Sequence, residues 1–371
     1  MKFICSKKDL LKGVNIVRNA VPVRTTMAIL ECILIDASTD KIKLMANDTE
    51  LGIETVIEGN IEQRGIIALD AKKFSDIVRK LPENDVTITT DSSFKTVIKC
   101  EKAKFTITGK SGEDFLYLPN IEREKEPLRI SQYSLKEVIR QTLFSIAGTA
   151  ENNKVLTGEL FEINGFTLKV VSMDGHRISI RNIELKSSYD DVSVIVPGKT
   201  LSEIVKILPD EADDDVDIYF SKNHMLFEFD NTTVVTRLID GEYFRVEKML
   251  SHDYETKVVI NKRNLLDSID RATLLVNEGD KKPIIMTVSE ESLLLQINSF
   301  IGSMEDEIDI KKEGKDLKIG FNPKFFIDAL KVIDDEEISI YMVNPKAPCF
   351  IKDSDENYIY LILPVNFNSA Q

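Results

Sequence analysis

Two short stretches carry side chains that could do chemistry. In Ser172-Met173-Asp174-Gly175-His176-Arg177-Ile178, a carboxylate, an imidazole and a guanidinium stand close together, which invites an acid–base or hydrolase reading. In Gly198-Lys199-Thr200 the ending of a phosphate-binding loop is present. Spacing argues against both. Asp174 and His176 sit two apart on one turn and do not by themselves make a triad, and no Gly-x-Ser-x-Gly elbow supplies a nucleophile. A phosphate loop needs a second Gly five residues before Gly198, and that residue is Ser193, inside a strand-like Val192-Ser193-Val194-Ile195-Val196. His176, His224 and His252 are far apart, so no metal-ligand spacing appears. Cys5, Cys32, Cys100 and Cys349 never form CxxC and read as buried free thiols. No metal or cofactor is expected. Asp48 lies 126 residues before Asp174, in a similar Met45-Ala46-Asn47-Asp48-Thr49 context. A carboxylate that recurs in this way reads as a turn residue bonding its own backbone.

The elements that carry these residues repeat. Phe74-Ser75-Asp76-Ile77-Val78-Arg79-Lys80-Leu81-Pro82-Glu83 returns as Leu201-Ser202-Glu203-Ile204-Val205-Lys206-Ile207-Leu208-Pro209-Asp210, 127 residues on. A weaker copy, Phe326-Ile327-Asp328-Ala329-Leu330-Lys331-Val332-Ile333-Asp334-Asp335, follows after 125 more. Apolar residues at i, i+3, i+4 and i+7 make each copy an amphipathic helix, ended by Pro or an acidic pair. An earlier helix precedes each copy, giving six expected helices over 7–20, 72–81, 134–147, 199–208, 262–275 and 323–333. Short strands rich in Val, Ile, Thr, Phe and Tyr follow each second helix, at 86–90, 94–100 and 104–107 and their counterparts. The fold class expected is α+β, three repeated domains of two helices packed on antiparallel sheets, over 1–122, 127–250 and 251–371.

The composition is that of a globular chain, with no apolar run near the length of a membrane span. No signal-peptide core precedes Lys7, so the cytoplasm is the expected location. The net charge of −14 argues against nucleic acid if taken as a sum. The distribution argues otherwise. The six expected helices hold 17 Lys or Arg against 7 Asp or Glu, and the remaining chain holds 31 against 55. That split predicts a basic surface lined by helices, Lys80 and Lys206 among them, and an acidic exterior. Such a surface would meet phosphates without reading sequence, since no recognition-helix or zinc-finger pattern is present. Coulomb attraction alone would be weak and salt-sensitive, whereas a closed ring holds DNA by topology. Two readings compete with DNA encirclement: a hydrolase-like enzyme at Asp174, His176 and Arg177, and a repeat scaffold that never touches DNA.

The whole chain, from Phe3 to about Phe367, resembles the bacterial sliding clamp, the beta subunit of DNA polymerase III holoenzyme. The triple repeat carries the resemblance. So do Pro22-Val23-Arg24-Thr25-Thr26-Met27-Ala28-Ile29-Leu30, which is similar to the family's Arg-x-Thr-x-Pro-Ile-Leu with Ala28 in place of Pro, and Asp174-Gly175-His176-Arg177-Ile178. Pro197-Gly198-Lys199-Thr200 and Leu238-Ile239-Asp240-Gly241-Glu242-Tyr243 also fit.

The resemblance implies a non-enzymatic processivity factor, a head-to-tail homodimer forming a six-domain ring around duplex DNA. Its dimer contact would join Phe105 and Ile107 to Leu274 and Leu275. It implies DNA contacts at Arg24 and Lys199. It also implies a pocket for short peptides of the replicative polymerase, the clamp-loader ATPase, and other polymerases and repair proteins. The pocket would be walled by Leu156, Met173, Gly175, His176, Arg177 and Ile178, then Phe244, Lys248 and Met249. Phe325 and Pro348 would follow, and Leu361, Ile362, Leu363, Pro364 and Val365 would complete it. Three positions depart from the family pattern. Phe244 stands where Pro is usual, Met173 replaces Thr or Ala, and the chain ends Leu363-Pro364-Val365-Asn366-Phe367 with a short polar tail. No membrane partner is implied.

Overall fold

The computed structural model describes residues 1–119, 121–123, 126–148, 151–209, 214–250, 253–276, 282–353 and 355–367. Asp210, His252, the polar tail 368–371 and the boundary residues 124–125 and 251–252 lie outside the described residues.

Six helices form where the apolar spacing places them: α1 (Lys7–Val17), α2 (Ala71–Lys80), α3 (Gln132–Thr142), α4 (Gly198–Ile207), α5 (Lys262–Thr273) and α6 (Pro323–Val332). Short side chains start them by accepting the orphan N–H groups of the first turn. Ser6 accepts from Asp9 N, Asp70 from Lys73 N, Ser131 from Ser134 N, Asn261 from Asn264 N and Asn322 from Lys324 N. On α2, Phe74 and Val78 are buried while Lys72, Lys73, Arg79 and Lys80 are exposed. On α4, Leu201 and Ile204 are buried and Lys199 and Lys206 are exposed. Two helices end about one turn earlier than their apolar pattern suggests. Asn19 Nδ2 donates to the carbonyls of Asn15 and Ile16, and α1 tightens into a short turn at Arg18–Ala20. Thr142 Oγ1 donates back to Val138 O at 2.7 Å, and α3 tightens likewise at Leu143–Ser145.

The chain gathers into two compact units. The first holds Met1–Lys136 and Lys199–Leu238, the second Glu137–Gly198 and Ile239–Gln371. The central third of the sequence therefore contributes to both. In the first unit a five-stranded sheet runs from Asn60–Gln63 to an outer strand, Ala103–Thr108. Its eight-stranded sheet is joined in the middle by antiparallel pairing of Leu51–Ile57 with Thr232–Arg237, with Gly52 opposite Val235. The second unit has a seven-stranded sheet in which Arg177–Pro197 pairs with Tyr358–Ile362, with Ile178 opposite Leu361. Its four-stranded sheet ends in an outer strand, Ser303–Asp309. Both partners of the second join lie 126 residues after those of the first, so the repeat extends to the pairing register. No helix among the described residues is long and apolar enough to cross a membrane.

One buried residue breaks the apolar rule. Glu159, at the start of the strand Gly158–Met173, is fully buried, and neither carboxyl oxygen has a hydrogen-bond partner. Burial pushes its pKa well above the ordinary carboxylate value, and the nearby Thr142 hydroxyl, which would oppose this, donates to Val138 O instead. The folded chain therefore keeps the proton that the unfolded chain releases near pH 4.5. Stability falls as pH rises above that value, by at most about 1.4 kcal/mol per pH unit. Glu159→Gln removes the titration. The stability difference between variant and parent should grow in the variant's favour from pH 5 to 8, as measured by urea unfolding. A pH-independent difference would show that Glu159 is ionised in the fold.

Candidate functional site

The Asp174 turn is built as its repeat suggests. Asp174 Oδ1 accepts from His176 N at 3.0 Å and Arg177 N at 3.2 Å. Asp48 Oδ1 does the same for Glu50 N at 3.0 Å and Leu51 N at 2.7 Å. The residue after each Asp is left-handed, with φ of +85° at Gly175 and +79° at Thr49. Gly takes this conformation without strain, and a β-branched Thr does so only where its surroundings fix it.

Arg177 is the centre of the site. Its guanidinium is buried and donates Nε to Asp174 Oδ2 at 2.8 Å, Nη1 to Asp328 Oδ2 at 2.6 Å and Nη2 to Phe144 O at 2.5 Å. The Phe325 ring lies 4.7 Å from its carbon and that of Phe144 5.6 Å. Burial opposes its charge, but Tyr360, Asp328 and Asp174 outweigh burial and hold the proton more firmly than in free arginine. Tyr360 in turn donates its hydroxyl to Phe325 O at 2.7 Å. The Asp174 carboxylate is thus committed to backbone N–H groups and one guanidinium. The His176 ring faces Phe325, with centroids 6.1 Å apart. This is an anchored turn, and the acid–base reading has no carboxylate to use.

Around the turn lies an apolar surface. Leu156, Met249 and Leu363 are partly buried against a cluster that includes Met173, Ile178 and Leu361. Met173, Ile178, Leu361 and Ile362 are buried, and Ile362 belongs to the neighbouring core cluster. Gly175, His176, Phe244 and Lys248 are exposed, and Phe325, Pro348, Pro364 and Val365 are half-buried. Leu363 N donates to His176 O at 2.9 Å and Val365 N to Gly320 O at 2.8 Å, which fixes the C-terminal segment beside the turn. A side chain at Gly175 would meet open space, so the backbone there is accessible. The sixteen residues assigned to the pocket thus divide into an exposed rim, a half-buried wall and a buried base.

The other expected residues fall as follows. Gly198 begins α4 directly after a strand, and a Cβ there would lie 2.3 Å from Ile146 Cδ1, so close packing explains this glycine. Lys199 Nζ pairs with Asp48 Oδ2, and Thr200 Oγ1 bonds Thr236 Oγ1 at 2.7 Å. Lys206 pairs with Glu203 on the same helix at 2.8 Å. Arg24 and Lys80 are exposed. Phe105 is exposed on the outer strand Ala103–Thr108, where Ile107 is half-buried. Leu274 follows α5 with 80% of its surface exposed, and Leu275 is half-buried. All four cysteines are buried and free. Among the described residues no group of His, Cys, Asp or Glu could hold a metal ion.

The sequence matches three family descriptions in order. These are the N-terminal domain of the DNA polymerase III beta subunit over residues 1–119, its central domain over 129–244 and its C-terminal domain over 247–366. The chain belongs to the DNA polymerase III beta subunit family. It is 33% identical to a beta sliding clamp of Staphylococcus epidermidis, covering 98% of this chain and 99% of the relative. A beta subunit structure from Eubacterium rectale is 70% identical with a TM-score of 0.95, covering 99% of this chain and 100% of that one. The sliding clamp of Bacillus subtilis is 34% identical, also with a TM-score of 0.95, covering 99% of each chain. The beta-subunit fold is three tandem domains, each with helices packed on antiparallel sheets.

Sequence reasoning placed Arg177 on the pocket wall and missed its role as a buried anchor. Its partner Asp328 lies 151 residues away, and no local spacing joins them. Arg177→Lys should cost about 3 kcal/mol of stability, because a single ammonium cannot serve Asp174, Asp328 and Phe144 O together. Arg177→Met combined with Asp328→Asn should cost less than the sum of the two single changes. Denaturant unfolding of the four proteins checks this, and strictly additive losses would show that the pair is not coupled.

Proposed function

We propose that the surface beside the Asp174 turn receives short peptides from the partners of a DNA sliding clamp. The clamp function itself comes with the family. The chain is a sliding clamp, a ring that encircles duplex DNA and confers processivity, and it has no catalytic activity of its own. The observation that carries this is the match over nearly the full length of both chains, at 33% identity to a curated beta sliding clamp. The domains are assigned to 1–122, 127–250 and 251–371. The site of action is assigned to the cytoplasm.

The peptide reading rests on chemistry suited to that ligand. Exposed Phe244 and partly buried Leu156, Met249 and Leu363 can cover an apolar side chain. Methionine adapts to shape, and exposed Gly175 lets a peptide backbone approach. The partners assigned are the replicative polymerase, the clamp-loader ATPase, and other polymerases and repair proteins. Met173, Phe244 and the Leu363–Phe367 ending would set a peptide preference of this chain's own.

Arg24, Lys80, Lys199 and Lys206 are assigned to phosphate contacts. Each is exposed, and exposed ion pairs such as Lys199–Asp48 are weak enough to exchange for phosphate. The dimer is assigned as head to tail, with Phe105 and Ile107 meeting Leu274 and Leu275 of a second copy. Charge supports this pairing. Lys95, Lys99, Lys102 and Lys104 lie exposed on or beside the outer strand Ala103–Thr108. Glu305, Glu307 and Asp309 lie exposed on the outer strand Ser303–Asp309. An unpaired edge strand with exposed apolar residues needs a partner.

Three experiments test the ring, the phosphate contacts and the dimer. The chain is loaded by a clamp loader onto nicked circular plasmid and passed over a sizing column at high salt, before and after linearisation. Retention on the circle and loss from the linear form are expected. Equal loss from both would mean ordinary electrostatic binding and would overturn the ring. Reversing Arg24 and Lys199 to Glu should slow loading without changing dimerisation. Separately, Leu274→Asp should convert the dimer to monomer in sedimentation while leaving each chain folded. A persistent dimer would move the contact elsewhere.

A further inference from the structure

Two exposed apolar residues have no place in the peptide and DNA assignments. Phe300 is 97% exposed and Ile301 59%, side by side in the turn that leads into the outer strand Ser303–Asp309. The turn is a third copy of those at Asp48 and Asp174. Ser299 N donates to Gly302 O at 2.9 Å, as Asp48 N does to Leu51 O at 2.9 Å and Asp174 N to Arg177 O at 3.3 Å. Ser299 Oγ accepts from Ile301 N at 3.1 Å, where the two aspartates accept from Glu50 N and His176 N. Thr49, Gly175 and Phe300 thus hold one place in the three turns, and Glu50, His176 and Ile301 the next.

In the first two copies a distant strand joins the strand that follows the turn, and a hydrogen bond closes the join at the turn itself. Arg237 N donates to Glu50 O at 2.8 Å, and Leu363 N to His176 O at 2.9 Å. In the third copy Ser303–Asp309 is outermost in its sheet. The counterpart of the joining strand Thr232–Arg237 is Ala103–Thr108, outermost in the five-stranded sheet. Both joining strands end alike, with Leu238 N donating to Asn223 O and Gly109 N to Phe94 O, each at 2.8 Å. Applied between copies, the register of the first join, with Ile53 opposite Val234, puts Met304 opposite Phe105 and Ile301 opposite Thr108. Glu305 then faces Lys104 and Glu307 faces Lys102, all four exposed, so acids meet lysines. The same register places the turn. Thr49 and Glu50 line one cavity with His224, so their counterparts Phe300 and Ile301 fall beside Lys95 and its neighbour Phe94, itself 39% exposed.

We propose that the turn Ser299–Gly302 docks on Phe94 of a second copy, at a third join built in the register of the first two. The inference rests on the head-to-tail assignment and adds to it a contact outside Phe105, Ile107, Leu274 and Leu275. The Phe300 ring covers Phe94, and Ile301 O accepts from Thr108 N of the second copy. Two adjacent apolar side chains that stand in water in the single chain are thereby covered.

The test is the dissociation constant of the dimer, measured by sedimentation over a dilution series. Phe300→Ser and Phe94→Ser should each raise it about tenfold or more, as for truncation of an aromatic anchor. The double variant should raise it little further, because either change alone empties the contact. Phe300 packs on almost nothing in the single chain, so its variant stays informative even if Phe94→Ser disturbs folding. Register is checked by mild oxidation. Met304→Cys with Phe105→Cys should give a covalent dimer, and Met304→Cys with Ala103→Cys, two residues out of register, should not. The four native thiols are buried and stay out of the reaction. Unchanged dissociation in Phe300→Ser, or a crosslink from the shifted pair in preference to the matched one, overturns the proposal. Unchanged dissociation with slower loading onto circular DNA would give the turn to another protein instead. A parent chain that stays monomeric throughout would overturn the head-to-tail assignment, and this proposal with it.

Discussion

A strand inside a sheet must pair on both sides, or its N–H and C=O groups are left in orphaned rows. The strands Leu51–Ile57 and Arg177–Pro197 meet that demand with partners from far along the chain. Leu51–Ile57 takes Thr232–Arg237, and the buried hydroxyls of Thr55 and Thr232, 177 residues apart, bond at 2.9 Å across the join. Arg177–Pro197 takes Tyr358–Ile362 in the same register one repeat later. Each join turns a pair of short sheets into one long sheet, and the helices pack on what it creates. The site depends on this. Arg177 is the first residue of its strand, opposite Ile362, so the turn before it is held where the C-terminal strand ends.

The two Asp turns show how one backbone device can carry different chemistry. Both use one carboxylate oxygen to bind two backbone N–H groups, and both leave the other oxygen for a cation. At Asp48 that cation is Lys199, whose side chain is 57% exposed. At Asp174 it is Arg177, whose side chain is 8% exposed and which also holds Asp328 and Phe144 O. An exposed lysine pair is soft and exchangeable, while a buried three-way guanidinium is rigid. The repeat therefore supplies the geometry, and the source of the cation differs: Arg177 comes from the turn itself, whereas Leu51 stands at that place after Asp48 and Lys199 reaches in from α4.

Much of this was legible in the sequence because it is local. The spacing of Phe74, Val78 and Leu81 gave α2, and a short apolar and aromatic run between turn residues gave the strand His224–Phe229. The recurrence of Asp48 and Asp174 in like contexts marks the turn. What stayed hidden is set by distant partners. Nothing near Arg177 says that α6 will bring Asp328 to it, and nothing near Glu159 says that its strand position faces a packed interior. Periodicity also overran the ends of α1 and α3, since the side chains of Asn19 and Thr142 take carbonyls that the next turn would have needed. Among the basic residues, the Glu203–Lys206 pair is local, but nothing near Lys199 says that Asp48, 151 residues away, will reach it.

Those pairs bear on how an acidic chain can work on DNA. A net charge of −14 repels phosphate at long range, and several of the cations on the helices are shared with neighbouring acids. Tight electrostatic binding would require those pairs to be broken and would hold the protein to one place. A ring has no such requirement. Held by topology, it can keep its contacts with the duplex weak. A net negative charge and paired lysines, which would be defects in a protein that grips DNA, suit one that encircles it and slides.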